Sequence, residues 1–100
     1  MGLFSFFNRN KNKLQGFLDR DAILLDVRTH QEYNEGSIDG ALHIPLKEVS
    51  SNIDTLKKKN APIIAFCKSG GRSAIATGIL KKHGIEALNG GGKNSLERKL

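Results

Sequence analysis

The sequence predicts an α/β fold with a mainly parallel central sheet flanked by helices. The runs Ala22–Val27 and Ile63–Phe66 are apolar almost throughout, which is typical of strands that are buried on both faces. Segments with helical spacing or helix-capping residues alternate with these runs along the chain. This alternation of strands and helices favours helices that pack on the faces of a parallel sheet.

Two short helices and a second strand are predicted on either side of the first apolar run. Apolar residues at i, i+3 and i+4 spacing predict a helix within Leu14–Leu18. Thr29 and Glu32 match a capping box, so a helix is expected to begin there and to end near Gly36. Ala41–Ile44 is predicted as a short strand, which stops before a proline.

The second half of the chain contains two further predicted helices. Ser51–Lys59 is expected to form one, with Ile53 and Leu56 facing inward. Ser73–Lys82 is the clearest helix of the sequence, and Gly84 supplies its C-terminal stop. The residues of this helix that are expected to face the core are Ala74, Ile75, Ala76, Ile79 and Leu80.

Three predicted elements complete the domain. They are a short strand at Ile85–Leu88, a turn at Gly90–Gly92 and a final helix within Ser95–Leu100. Residues 1–13 end in a polar stretch and are interpreted as an N-terminal tail. The folded domain is therefore expected to cover residues 14–100.

The first residues and the apolar runs bear on the expected location of the chain. The Phe-rich start, Leu3–Phe7, lacks the basic start, long apolar core and cleavage site of a secretory signal. The longest apolar runs contain about five residues, far fewer than a membrane span needs. We therefore expect a cytoplasmic location and no membrane span.

The net charge of +6 is distributed unevenly. Residues 1–50 contain six basic and seven acidic side chains, whereas residues 51–100 contain ten basic and three acidic ones. A basic half is compatible with nucleic-acid binding, but no aromatic-rich or basic recognition motif accompanies the charge. Attraction of small anions is the better interpretation, and no nucleic-acid partner is predicted.

Metal and disulfide chemistry are not indicated by the cysteine and histidine residues. Cys67 is the single cysteine, which excludes an internal disulfide and a metal cluster built from cysteines alone. The three histidines, His30, His43 and His83, are scattered without the spacing of metal ligands. No metal and no cofactor are predicted.

The stretch Cys67–Arg72 is the most informative part of the sequence. It joins a buried strand to a helix, and the carboxyl edge of a parallel sheet is where such folds place their sites. Gly70 and Gly71 allow the chain to turn its amide groups inward, and the helix start and Arg72 add positive potential. This cradle is expected to favour the thiolate form of Cys67 and to lower the pKa of its thiol.

These residues, together with three other motifs in the same order, resemble the rhodanese family of sulfurtransferase domains. The resemblance covers nearly the whole chain from about Leu14. Ser37 and His43 stand where the family usually has histidine and asparagine, and Gly92 replaces a bulky apolar residue. The motifs that carry the resemblance are Leu25–Arg28, Glu32–Tyr33 with Gly36–Pro45, Cys67–Ser73 and Gly90–Gly91.

The resemblance implies a sulfurtransferase that moves a sulfane sulfur through a persulfide on Cys67. Thiosulfate or a persulfide is the implied donor, cyanide or a thiol is the implied acceptor, and a protein donor or acceptor stays open. Asp26, Arg28 and Glu32 are interpreted as structural, with Asp26 and Arg28 forming an ion pair that Glu32 could join. The residues implied to bind the transferred group are Lys68, Ser69, Gly70, Gly71 and Arg72.

Two alternatives remain open from the residues. Cysteine-based phosphatases also use a cysteine and an arginine around an amide cradle, but they need five intervening residues, whereas four separate Cys67 from Arg72. The shorter loop is expected to suit a single sulfur atom. A partner-docking or regulatory rhodanese module is the second alternative, and the presence of Cys67 argues against it.

Overall fold

The computed structural model describes residues 13–100 and confirms the predicted α/β class. Four strands form a single sheet in the order β2-β1-β3-β4, and every pairing is parallel. The Phe-rich start and the polar stretch up to residue 12 lie outside the described residues. The strands are β1 (Ile23–Asp26), β2 (Leu42–His43), β3 (Ile63–Cys67) and β4 (Ala87–Gly92).

Helices precede, connect and follow these strands. A helix at residues 13–19 (α1) agrees with the first predicted helix, and α2 begins at the predicted Thr29–Glu32 capping box, whose reciprocal hydrogen bonds are present. The helix predicted at Ser51–Lys59 begins earlier, at Leu46, and consists of three short segments. The remaining helical elements are α2 (His30–Asn34), α3 (Leu46–Val49), a 3-10 turn (Ser50–Asn52), α4 (Ile53–Lys58), α5 (Gly71–Lys82) and α6 (Lys93–Glu97).

Strand β3 lies between β1 and β4, and all five of its side chains are buried. Because side chains alternate along a strand, Ala65 and Cys67 pack into one apolar cluster with residues of α4 and α5. Ile64 and Phe66 pack on the opposite face with Phe17 of α1 and with α6. Both faces of the strand are covered, which explains its uninterrupted apolar sequence.

The orientation predicted for α5 is wrong at two positions. Ile75 is 58% exposed, and Ala74 beside it also faces solvent. The buried residues of the helix have the spacing i, i+3, i+4 and i+7, but two of them are polar, so the apolar pattern pointed to the wrong face. These four buried residues are Ser73, Ala76, Thr77 and Leu80.

The last strand extends through the glycines that were predicted to form a turn. At Gly90 a Cβ atom would lie 2.7 Å from Ile64 Cγ2, and at Gly92 it would lie 2.5 Å from the Lys68 carbonyl oxygen. These distances are shorter than real Cβ contacts, so both positions require glycine. The final helix begins directly after the strand, at Lys93, which is earlier than predicted. The close approach at Gly92 places the end of β4 against the loop that follows Cys67.

Candidate active site

The sheet topology brings Cys67 to the carboxyl edge, as the last residue of β3. The loop that follows turns through Gly70, which has a left-handed backbone with φ of +104° and stands directly before α5. The Cys67 side chain is 1% exposed, and it points to the face of the sheet that α5 covers. Cys67 is therefore enclosed by the loop and the first turn of the helix.

Several hydrogen-bond donors surround the Cys67 sulfur, and two of them make close contacts. The Gly70 amide nitrogen lies 3.0 Å from Sγ, and the Ser73 hydroxyl oxygen lies 3.4 Å from it. Burial alone would raise the pKa of the thiol, but hydrogen bonds from the Ser73 hydroxyl and from the amides of Ser73, Ser69 and Gly70 outweigh it. Together they lower the pKa of Cys67 to about 7. The thiolate, which is the nucleophilic form, is thus populated near neutral pH.

This geometry predicts the pH dependence of thiol alkylation. The rate of reaction with iodoacetamide should rise with a midpoint near pH 7, below the value of about 8.5 for a free cysteine. Ser73→Ala should move the midpoint upward, because the variant removes one hydrogen bond to the thiolate. A wild-type midpoint at or above the free-cysteine value would contradict the activating role of the loop.

Arg72 lies at the rim of the loop, and its guanidinium is held by a carboxylate. Its two terminal nitrogens donate to Glu32 at 2.6 and 3.0 Å. This hydrogen bonding is the main reason that the pKa of Glu32 is lowered to about 2. Glu32 was considered as a third member of the Asp26–Arg28 pair, but the structure pairs it with Arg72 instead. α2 and the start of α5 are thereby joined at the rim of the site.

Asp26 and Arg28 form the predicted ion pair at the end of β1. The guanidinium of Arg28 donates to both carboxylate oxygens of Asp26, at 2.8 to 3.2 Å, and Ser37 Oγ donates to one of them at 2.7 Å. Burial raises the pKa of Asp26, but these hydrogen bonds outweigh burial and lower it. Arg28 also donates to the Gly36 carbonyl oxygen, so the pair fixes the segment after β1.

Two polar residues near the sulfur were not predicted. Ser73 had been treated only as a helix start, although its hydroxyl faces both Cys67 and Asn89. Asn89 contacts the loop from β4, and its position before three glycines is a weak signal that was interpreted as a turn. His43 was noted in the sequence only as a scattered histidine and as a departure from the family motif, yet its Nε2 lies 2.8 Å from the Arg28 carbonyl oxygen, and its ring stacks on Tyr33.

An open cleft of about 250 Å³ lies beside the loop. Both basic and acidic side chains line it, and Lys68, which is exposed, is the residue next to Cys67. Within residues 13–100, no group of three or more His, Cys, Asp or Glu side chains is arranged to hold a metal ion. The cleft is lined by Arg28, Glu32, Glu35, Gly36, Lys68, Lys93 and Asn94.

No helix within residues 13–100 has the length and apolar character needed to cross a membrane.

Comparison with known sequences matches most of the chain to one domain family. The profile of the rhodanese-like domain matches residues 10–95. YrkF from Bacillus subtilis is 40% identical over 70 residues, which is 70% of this chain and 37% of YrkF. The thiosulfate sulfurtransferase PspE from Escherichia coli is 35% identical over 69 residues, which is 68% of this chain and 66% of PspE. The chain thus spans only part of the length of these curated relatives.

A solved structure also resembles the chain. It is a rhodanese with anions from Escherichia coli, which superimposes with a TM-score of 0.68 and is 34% identical. The superposition covers 74% of this chain and 89% of that structure. The fold and the sequence family therefore agree.

Proposed function

Since this chain belongs to the rhodanese-like domain family, we propose that it is a sulfurtransferase in which Cys67 carries the sulfur atom during transfer. The observation that carries the proposal is the buried Cys67 sulfur, which lies 3.0 Å from the Gly70 amide in a loop with four residues between Cys67 and Arg72. The lowered pKa of the thiol supports it, because sulfur transfer needs a thiolate at neutral pH.

The proposed reaction has two steps. The Cys67 thiolate attacks the outer, sulfane sulfur of thiosulfate, the sulfur–sulfur bond of thiosulfate breaks, and sulfite leaves with the bonding electrons. An acceptor nucleophile then attacks the outer sulfur of the persulfide, and the Cys67 thiolate leaves. Cyanide would become thiocyanate, and a thiol would become a persulfide. No outside oxidant or reductant is needed, because the thiolate is regenerated in the second step.

The loop can stabilise the anionic persulfide between the two steps. The amide groups and the start of α5 provide positive potential close to the sulfur, which favours a negative terminal sulfur. The same donors would assist departure of the Cys67 thiolate when the acceptor attacks. A protein donor or acceptor remains part of the proposal, as does the cytoplasmic location expected from the sequence.

The intact mass of the purified protein after exposure to thiosulfate tests the proposal. The mass should increase by one sulfur atom, and treatment with cyanide or dithiothreitol should remove the increase. A mass that stays unchanged with thiosulfate and with a small-molecule persulfide would contradict transfer through a Cys67 persulfide. Binding of a protein partner without any sulfur uptake would instead favour the docking module.

Charge near the loop should determine the use of thiosulfate, which is a dianion. Lys68→Ala and Arg72→Ala are each expected to raise KM for thiosulfate about two- to fivefold. Arg72→Ala should also lower kcat, since its side chain joins the loop rim to Glu32. Lys81→Ala is the matched control and should change neither constant, because it lies nine residues after Arg72 on α5, roughly 14 Å along the helix, beyond the Debye length of about 8 Å.

Steady-state kinetics at several salt concentrations would measure these effects. The KM increases should shrink as salt is added, because the missing attraction is electrostatic. An equal loss in Lys68→Ala and Lys81→Ala would contradict the importance of the loop and would indicate a broad docking surface.

A further inference from the structure

The side chain of Asn89 connects three parts of the candidate site. Its Nδ2 donates to the Gly70 carbonyl oxygen at 3.0 Å. Its Oδ1 accepts from the Ser73 hydroxyl at 2.6 Å and from the Gly91 amide at 3.0 Å. A residue of β4 is thereby bound to the loop, to the first turn of α5 and to its own strand.

The partners of Asn89 determine the orientation of its amide group. The Gly91 N–H can only donate, so it must face Oδ1. The Gly70 carbonyl oxygen can only accept, so it must face Nδ2. Reversing the amide would place Nδ2, a donor, against the Gly91 N–H and Oδ1, an acceptor, against the Gly70 carbonyl oxygen.

The contact with Gly70 bears directly on the sulfur. The Gly70 residue donates its N–H to Cys67 Sγ and receives the Asn89 hydrogen bond on its carbonyl oxygen. Its φ of +104° is a conformation that few other residues adopt. The Asn89 amide therefore restrains the residue whose own amide faces the thiolate.

The contact with Ser73 creates a competition for one proton. A serine hydroxyl has a single proton to donate, and Ser73 Oγ lies within hydrogen-bonding distance of both Asn89 Oδ1 and Cys67 Sγ. While Cys67 is a thiol, the hydroxyl can donate to Asn89 and accept from the S–H group. When Cys67 is a thiolate, the hydroxyl can turn to donate to the sulfur.

We propose that Asn89 is a positioning residue for sulfur transfer. It restrains Gly70 so that the Gly70 amide faces the sulfur, and its Oδ1 competes with the sulfur for the hydrogen bond from the Ser73 hydroxyl. The inference rests on the proposed function, since it assigns a role within that same site. Asn89 does not touch the sulfur and acts through Gly70 and Ser73.

The charged groups around the sulfur do not provide this coupling. Lys68 is exposed beside Cys67, Glu35 is an exposed carboxylate at the cleft, and the other charged side chains that line the cleft form ion pairs. None of these groups forms a hydrogen bond with Asn89 among the described residues. The ion pairs are Asp26–Arg28, Glu32–Arg72 and Lys93–Glu97.

The alkylation pKa of Cys67 in a double-mutant cycle tests the proposal. In a Ser73→Ala background there is no Ser73 hydroxyl to compete for, so Asn89→Ala removes only the hydrogen bonds to the Gly70 carbonyl oxygen and from the Gly91 amide. The pKa of Cys67 should then rise by about half a unit or more, because Gly70 is no longer restrained. In the wild-type background the rise should be smaller, because the Ser73 hydroxyl, released from Asn89, can donate to the thiolate continuously. Equal shifts in the two backgrounds, or no shift in either, would overturn the proposal.

A second variant covers the case in which the alanine substitution unfolds the chain. Asn89→Asp keeps the acceptor oxygens for Ser73 and Gly91, but it replaces the donor to Gly70 with a negatively charged oxygen. Asn94→Asp is its matched control, because it adds the same charge at an exposed position of α6 beside the cleft. Asn89→Asp should raise the pKa of Cys67 more than Asn94→Asp does, and equal shifts would overturn the proposal.

These measurements are independent of the proposed function. Alkylation requires neither a sulfur donor nor an acceptor, so a failure of sulfur uptake would leave the test of Asn89 intact. Circular dichroism of each variant would establish that the alkylated protein is folded. The rate of sulfur transfer, measured in parallel, should fall in the same order as the thiol pKa rises.

Discussion

Replacing Cys67 with serine is expected to abolish both sulfur uptake from thiosulfate and turnover of thiosulfate with cyanide. Cys67 is the only cysteine of the chain, and the thioether of Met1 cannot form a persulfide. A serine hydroxyl is not ionised near neutral pH and does not provide a thiolate for attack on sulfur. The expected residual turnover is therefore that of the reaction without enzyme. Intact mass after thiosulfate treatment and thiocyanate formation would measure the two losses.

The same variant should keep its fold, which makes the result interpretable. Serine is slightly smaller than cysteine, and its hydroxyl can accept the hydrogen bonds that now reach Sγ from Gly70 and Ser73. Ser95→Ala is a control, because Ser95 is exposed on α6, lies outside the loop and should retain most activity. Turnover that survives in Cys67→Ser would refute the persulfide route. Partner binding that survives without turnover would not refute it.

The parts of the fold that were predicted correctly depend on neighbouring residues in the sequence. β3 was recognised because all of its side chains are buried and apolar, and Thr29 and Glu32 could be recognised as a capping box because they are only three residues apart. The position of Cys67 at the carboxyl edge of the sheet was predicted from the strand, the glycines and the helix start that surround it, and the structure places it there. Its role as the nucleophile stays a proposal. These signals are local, so no knowledge of tertiary contacts was needed.

The features that were missed depend on residues that are distant in the sequence. Glu32 and Arg72 are 40 residues apart, and their pairing follows from the packing of α2 beside α5. The glycines at the end of β4 looked like a turn, because the nearness of the Lys68 carbonyl oxygen to Gly92 is set by the register of β3 and β4. Asn89 was missed for the same reason, since its contacts with Ser73 and Gly70 join residues that are 16 and 19 positions apart in the sequence.

These long-range contacts give the loop a defined size. The Gly70 amide, the Ser73 hydroxyl and the Arg72 guanidinium are fixed relative to Cys67 by β4 and α2, rather than by the loop alone. A change in loop length would therefore disturb several contacts together. A change in loop length is therefore a strong test of whether the loop from Cys67 to Arg72 is matched in size to a single sulfur atom.

Insertion of one glycine between Gly71 and Arg72 is expected to lower sulfur transfer by more than about tenfold, which corresponds to about 1.4 kcal/mol of transition-state stabilisation. The insertion gives five residues between Cys67 and Arg72, which is the spacing of cysteine-based phosphatases. If α5 keeps its position, the longer loop must bulge, and the Gly70 amide can no longer lie 3.0 Å from Sγ. If α5 shifts instead, Arg72 rotates away from Glu32. Either change weakens the cradle, and weak hydrolysis of a phosphate ester could then become measurable.

The control for this insertion is a glycine added after Asn60, which stands before β3 at the opposite, amino edge of the sheet. That variant contains the same extra residue and should retain most sulfur transfer, because long-range contacts of the loop are unchanged. Thermal unfolding of both variants would separate a loss of stability from a loss of loop geometry. Equal thiosulfate turnover in the wild type and in the Gly71–Arg72 insertion would show that the length of the loop does not select the transferred group. A large loss in the first variant alone would show that the spacing from Cys67 to Arg72 determines how well a single sulfur is held.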